Sequence, residues 1–195
     1  MTQSDEQRWD QRYAEGAYAE RQHPSAFLVE RLDDQSGATA TNLTAADLAC
    51  GRGRNAAYLA SLGYTVSAYD VSSIGLSHAQ ATYGADINWV HRDLIADGLE
   101  PSESFDLIVM FRFVAPELLA GLASHLNPGG RVIVEEHLRW SGPEELAGPG
   151  SDRFRVAPNA LRQGLDNLTI EHYFEGLVTD PDGKLAAVAR AVARA

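Results

Sequence analysis

Three aspartates, one histidine and a pair of glycines hold most of the spacing that could do chemistry in this chain. Asp47 stands four positions before Gly51, and one residue separates Gly51 from Gly53. The stretch 44–48 reads as a short buried strand with an acid near its end. Ala56, Ala57, Leu59, Ala60 and Leu62 then repeat as a helix does. Strand, glycine turn and helix form the unit that cradles a phosphate or nucleoside, because a missing Cβ allows a positive φ and close approach of a ligand. Gly63 ends the helix, residues 64–69 alternate as a second strand, and Asp70 closes it. An acid at that strand end suits a ribose hydroxyl pair. His137 follows a strand at 131–135 and is the candidate general base, by position and by the near-neutral pKa of an ordinary imidazole.

Two ligand classes compete for the glycine unit. Read as Gly51-x-Gly53-x-x-Ala56 with Asp70 downstream, it fits a dinucleotide site. A carboxylate four residues before the first glycine would then face a pyrophosphate, which is unfavourable. A ligand carrying an ammonium and a sulfonium would instead gain from Asp47 in a partly buried cleft.

Read from Asp47, the run Asp47-Leu48-Ala49-Cys50-Gly51-Arg52-Gly53 resembles the D-x-x-C-G-x-G turn of class I S-adenosylmethionine (SAM) methyltransferases. Leu126-Asn127-Pro128-Gly129-Gly130 before the strand at 131–135 is similar to that family's pattern too. Trp9-x-x-Arg12-Tyr13 looks like the opening of its small tellurite-resistance and thiopurine-type members, where it covers the cofactor. The resemblance implies an α/β fold, a doubly wound, seven-stranded, mostly parallel sheet with an antiparallel C-terminal strand. It implies one SAM-binding domain over 1–195, with 1–40 as a helical lid segment. The cofactor would meet Arg12 and Tyr13 of the lid, then Asp47, Ala49, Cys50, Gly51, Gly53 and Asn55 of the first unit. Asp70, Val71 and Ser72 would follow at the second strand, Asp93 and Leu94 at the third, and Phe111 at the fourth. Asp93 would bind the adenine amino group, although a loop or N-cap acid reads as well.

The N/D-P-P-Y/F motif of nucleic-acid and amide N-methyltransferases is absent at Phe111-Arg112-Phe113, which disfavours a flipped base or amide. The resemblance therefore implies a small-molecule acceptor, a thiol or chalcogen species among the candidates. A SAM-binding sensor or scaffold and a nicotinamide-dependent oxidoreductase are the alternatives. The latter lacks a Tyr-x-x-x-Lys carrier, since Lys184 is the sole lysine. No metal enters the reading.

Composition narrows the field. The 195 residues carry 16 basic and 27 acidic side chains, a net charge of −11, with 45% apolar content. That balance opposes phosphate-backbone binding and predicts no nucleic-acid partner. A single cysteine, Cys50, excludes an intrachain disulfide and fits a reducing compartment. The polar N-terminus is no signal peptide, and no stretch approaches the roughly 18 apolar residues of a membrane span. A cytoplasmic address without membrane association is expected, while oligomeric state is not legible.

The positioning elements follow in order. A helix within 4–20 puts Trp9 and Tyr13 on one face, and a second helix covers 25–32. Residues 33–41 read as a loop. Ser72 or Ser73 caps a helix running to about 83, with Gly75 inside it. Strands follow at 87–91, 105–110 and 131–135, with a helix at 116–126 stopped by 127–130. Residues 141–151 form a loop long enough to close over a site. A helix at 158–166 precedes a strand at 168–174. The Ala-rich tail at 185–193 favours helix by propensity, but the turn chemistry of 180–183 makes it a strand.

Overall fold

A computed structural model describes residues 4–33, 42–180 and 183–195. Seven strands form one sheet in the order β3-β2-β1-β4-β5-β7-β6. They are β1 (Thr44–Leu48), β2 (Thr65–Asp70), β3 (Asn88–His91), β4 (Phe105–Phe111), β5 (Leu126–His137), β6 (Thr169–Thr179) and β7 (Leu185–Arg194). Strands β1 to β5 run parallel, and β7 is antiparallel to both β5 and β6. The helices are α1 (Asp5–Ala14), α2 (Ala26–Asp33), α3 (Arg54–Ser61), α4 (Ser73–Tyr83), α5 (Pro116–Gly121) and α6 (Ala160–Gly164).

The central strands are apolar on both faces because both faces are covered. On one face Ala46, Ile108, Met110 and Val132 pack with Leu119 of α5 and Leu161 of α6. On the other, Ala45, Val66, Val109 and Ile133 pack with Phe27 and Leu28 of α2, Leu59 of α3 and Leu76 of α4. Chain order reverses between β1 and β4, so the carboxyl ends of these strands open a crevice there. The Ala-rich tail is a strand, as the turn chemistry requires. Ala187, Ala189, Ala191 and Ala193 are fully buried, and tertiary burial overrides helix propensity. Gly183 N–H donates to the Asp180 carbonyl at 2.8 Å to close the hairpin. Pro181 and Asp182 lie outside the described residues, as does most of the loop expected at 33–41.

Four expected boundaries are corrected. The helix expected to run to 126 stops at Gly121, and Leu122–His125 tightens into a 3-10 turn. Residues 127–130 do not separate helix from strand but belong to β5. There Leu126 pairs with Phe105 and Arg131 with Leu107, so five steps along β5 match two along β4 in a pronounced bulge. The helix expected at 158–166 shrinks to α6, because Asn159 sits at φ 66°, outside the right-handed region. Strand β6 runs five residues past its expected end at 174, because β7 offers a partner along its whole length.

Candidate active site

The crevice is built from the ends of five strands and roofed by α1. Ala49, Cys50 and Gly51 leave β1, Asp70 and Val71 end β2, and Asp93 and Leu94 follow β3. Phe111, Arg112 and Phe113 close β4, and His137 ends β5. Tyr13 and Asn55 complete the expected residues that line it. Four others do not line it: Arg12, Asp47, Gly53 and Ser72.

Asp70 is the brace of the site. One carboxylate oxygen accepts the Gly51 N–H at 2.7 Å and the other accepts the Ser72 N–H at 2.8 Å. A single buried acid thus fixes both the glycine turn and the start of α4. Burial raises its pKa, while the two backbone donors pull it back toward the charged form. Ser72 is fully buried and its hydroxyl is engaged twice, accepting from Gly75 N–H at 3.0 Å and donating to Asp10 at 2.5 Å. It is therefore the cap of α4, not a lining residue. Gly53 adopts φ +77° and caps α3, with Trp89 packed so closely that a Cβ would lie 2.5 Å from its ring. Its glycine serves that packing, away from the crevice.

Asp47 points beneath the turn, 1% exposed, with one carboxylate oxygen lacking a hydrogen-bond partner among the described residues. Burial pushes its pKa up to about 7, against the backbone N–H of Ala56. Its negative charge reaches the crevice through the protein, not by contact. Cys50 is buried, and desolvation followed by Asp47 and Asp70 raises its thiol pKa. Asn55 accepts the Ser25 N–H at 2.9 Å, tying the approach to α2 onto α3. Asp93 accepts from the N–H groups of Ile95 and Ala96 at 3.0 and 3.1 Å, the loop-acid geometry, while it also lines the crevice.

The roof begins with a capping box, Ser4 with Gln7, that starts α1. Trp9 and Tyr13 stack at 5.8 Å between ring centres, with Tyr18 at 6.3 Å from Tyr13. Arg12 lies over Trp9 and donates to the Tyr18 hydroxyl at 3.2 Å, bracing the aromatics from outside. Tyr13 is buried so close to Gly51 that a Cβ there would meet its hydroxyl at 2.5 Å. The space beside Gly75 is filled by the Tyr13 ring as well. Two ties hold this roof: Asp10 accepts from Ser72 Oγ and from Ile74 N–H, and Arg52 donates to the carbonyls of Ala17 and Tyr13. Neither Asp10 nor Arg52 stood out in the sequence, because each partner lies more than thirty positions away.

The expectation of a near-neutral His137 fails. Arg112 Nη1 lies 2.7 Å from His137 Nδ1, and a guanidinium can only donate, so Nδ1 accepts and the ring is neutral. Burial, then Arg112, Arg155 and Arg21, drive its pKa down to about 3. The folded value lies below the ordinary imidazole value near 6.5. The unfolded chain therefore takes up a proton that the fold refuses, and stability is lost as pH falls through the interval between the two. Proton NMR of the imidazole Cε1–H is expected to show no titration of His137 above pH of about 5. His137→Gln is expected to remove that part of the acid destabilisation in thermal melts from pH 7 to 4. A midpoint near 6.5 would show that the arginines do not act on it.

A family model described as a methyltransferase domain matches residues 45–130, from β1 through the bulge of β5. Residues 45–130 of the chain thus resemble a methyltransferase domain. The chain is 26% identical over 141 residues to a probable S-adenosyl-L-methionine-dependent methyltransferase, TehB, of Haemophilus influenzae. The match covers 67% of this chain and 48% of that one, so the chain spans about half the length of the curated relatives it matches. The crystal structure of Haemophilus influenzae TehB superposes with a TM-score of 0.67 at 23% identity, over 86% of this chain and 60% of that one. A TehB-like SAM-dependent methyltransferase from Corynebacterium glutamicum gives 0.57 at 25% identity over 94% of each chain. Magnesium protoporphyrin IX methyltransferase from Synechocystis with bound SAM shares the fold, with a TM-score of 0.60 at 17% identity over 98% of this chain and 86% of that one. Among the described residues, the chain has no helix long and apolar enough to cross a membrane.

Proposed function

We propose that the chain transfers a methyl group from SAM to a small-molecule acceptor that arrives already deprotonated, a thiolate or reduced chalcogen species among the candidates. The observation that carries this reading is the neutral, arginine-held His137 at the acceptor end of the crevice. An imidazole with so low a pKa is a poor proton acceptor at neutral pH. Bound SAM supplies an electrophilic methyl carbon on a sulfonium. The residues then have to align the acceptor and exclude water.

The chain's own residues suit those tasks. Gly51 offers a turn without a Cβ, and Asp70 would accept from the ribose hydroxyls, since each of its oxygens retains acceptor capacity beyond its one backbone donor. Asp47, Asp70 and Asp93 give that half of the crevice the negative character a cationic ligand needs. Phe111 and Phe113 supply an apolar wall. Helix α1, tied by Asp10 and Arg52, acts as the lid, and Tyr13 must yield where it crowds Gly51.

Calorimetric titration with S-adenosylhomocysteine, NADH and NADPH tests the reading. Binding of the first at micromolar affinity, without the other two, is the expected result. Nicotinamide binding alone would return the chain to the dinucleotide class. Binding of S-adenosylhomocysteine without turnover of any thiol or selenide acceptor would favour a sensor or scaffold.

A further inference from the structure

Charge in the crevice is distributed against the trend of the whole molecule. The chain carries a net charge of −11, yet five arginines, Arg21, Arg52, Arg54, Arg92 and Arg112, line the crevice. Two of them are already committed elsewhere. Arg52 holds lid carbonyls, and Arg92 pairs with Glu100 and Glu103. The other three are Arg21, Arg54 and Arg112, of which Arg112 and Arg21 bear on His137. Arg112 sits at φ +61° at the end of β4, a left-handed conformation that a non-glycine residue adopts only under constraint. Glu135 holds it there at 2.7 Å and is itself shared with Arg190 at 2.6 Å. Arg54 is half-buried and, like Arg21, makes no ion pair with a carboxylate among the described residues. Among the described residues its side chain donates to the His23 carbonyl at 2.9 Å. Arg21 lies over the Tyr18 ring at 5.4 Å. Burial first, then Arg21 and Arg112, lower the pKa of Arg54, while Asp47 and Glu135 act in the opposite direction. Arg112 is held by Glu135 and, at 3.6 Å, by Asp180, whereas Arg21 and Arg54 lack an ion-paired carboxylate among the described residues, and an incoming anion would supply those two with a partner.

We infer that Arg21, Arg54 and Arg112 form a carboxylate-binding subsite at the acceptor end of the crevice, and that the acceptor is a small organic acid. This inference rests on the methyl-transfer reading and names the class of its substrate. The carboxylate is the handle by which the acceptor is held, and the methylated atom lies elsewhere on the molecule. The adjoining walls favour an organic body over a bare inorganic anion, since Phe111 and Phe113 offer apolar surface that only a carbon skeleton would cover. Guanidinium forks match the two oxygens of a carboxylate and leave its geometry fixed. His137, neutral and anchored on Arg112, fills the remaining side of the cluster without adding charge.

The test is binding of paired probes to the protein saturated with S-adenosylhomocysteine. Acetate, propionate, benzoate and 3-mercaptopropionate are titrated beside their neutral amides. At least one acid is expected to bind about tenfold or more tighter than its amide, with an advantage that shrinks as salt is added. In both Arg21→Gln and Arg54→Gln that advantage should fall to about threefold or less, a loss of charge-assisted contacts. Affinity for S-adenosylhomocysteine in Arg21→Gln should stay unchanged, which also reports that the variant is folded. Equal binding of acids and amides, failure of every acid to bind, or an advantage that survives both substitutions would overturn the subsite. Failure of the unsubstituted protein to bind S-adenosylhomocysteine would overturn the methyl-transfer reading instead. In turnover with an acid acceptor, Arg21→Gln is expected to raise KM and leave kcat nearly unchanged.

Discussion

Asp70→Ala is expected to weaken S-adenosylhomocysteine binding by about a hundredfold, near 2.7 kcal/mol, and to destabilise the fold as well. The second effect follows from geometry. The carboxylate accepts two backbone donors, Gly51 N–H and Ser72 N–H, and both would be left without it in a buried site. Each stranded donor costs about 1–3 kcal/mol, so a loss of about 2–6 kcal/mol in chemical denaturation is expected. Asp70→Asn separates the contributions. It keeps one acceptor for the turn and should recover part of the stability, but its amide is a poorer partner for a hydroxyl pair. If Asp70→Ala lost stability and kept full affinity, Asp70 would be a turn brace alone, and the ribose assignment would be wrong.

Gly53→Ala is the second large effect, and its origin is steric. The residue adopts φ +77°, where a Cβ costs about 1–2 kcal/mol. The new methyl group would also stand 2.5 Å from the Trp89 ring and 3.0 Å from Ala79 Cβ. Trp89 cannot swing aside freely, since its indole N–H donates to the Gly84 carbonyl at 2.9 Å. Overpacking of this kind adds about 1–3 kcal/mol, for a total loss of about 2–5 kcal/mol. The same substitution should spare the crevice itself, because Gly53 does not line it. Retained affinity in the folded fraction, with a lowered denaturation midpoint, is the expected pair of results. Unchanged stability would show that α3 can start without a left-handed residue.

Much of this arrangement was legible in the sequence because it is local. The turn Asp47 to Gly53, the cap Ser72 and the acid Asp70 are each read from neighbours a few positions away. The tail shows where local propensity misleads. Nine residues rich in alanine favour a helix, and only the turn before them and the need to fill a sheet argue for a strand. What was not legible is what distant segments bring together. Arg21 comes from the segment before α2, Arg54 from the start of α3 and Arg112 from the end of β4, with nothing in their spacing to join them. Asp10 reaches α4 across 62 positions. The burial of Asp47 beneath its own turn escaped for another reason. A strand-end acid can face ligand or core, and only the packing of α3 decides. His137 was found by position, but its ionisation depends on arginines from three separate segments.

The place of β7 between β5 and β6 bears on how the chain reaches this structure. Strand β6 touches the rest of the sheet only through β7, so it cannot join the sheet first. Its link to β7 is a short hairpin, whereas β1 and β4 must close a loop of some sixty residues to pair. Loop-closure entropy makes the hairpin the least costly pairing in the sheet and the parallel core the slowest. Until β5 is in place, β7 exposes a bare edge lined with small side chains, the kind of strand that a second chain could pair with. Refolding at high protein concentration should therefore lose yield to association through this edge, and a charged residue at an exposed position of β6 would be no remedy, because the vulnerable edge is that of β7.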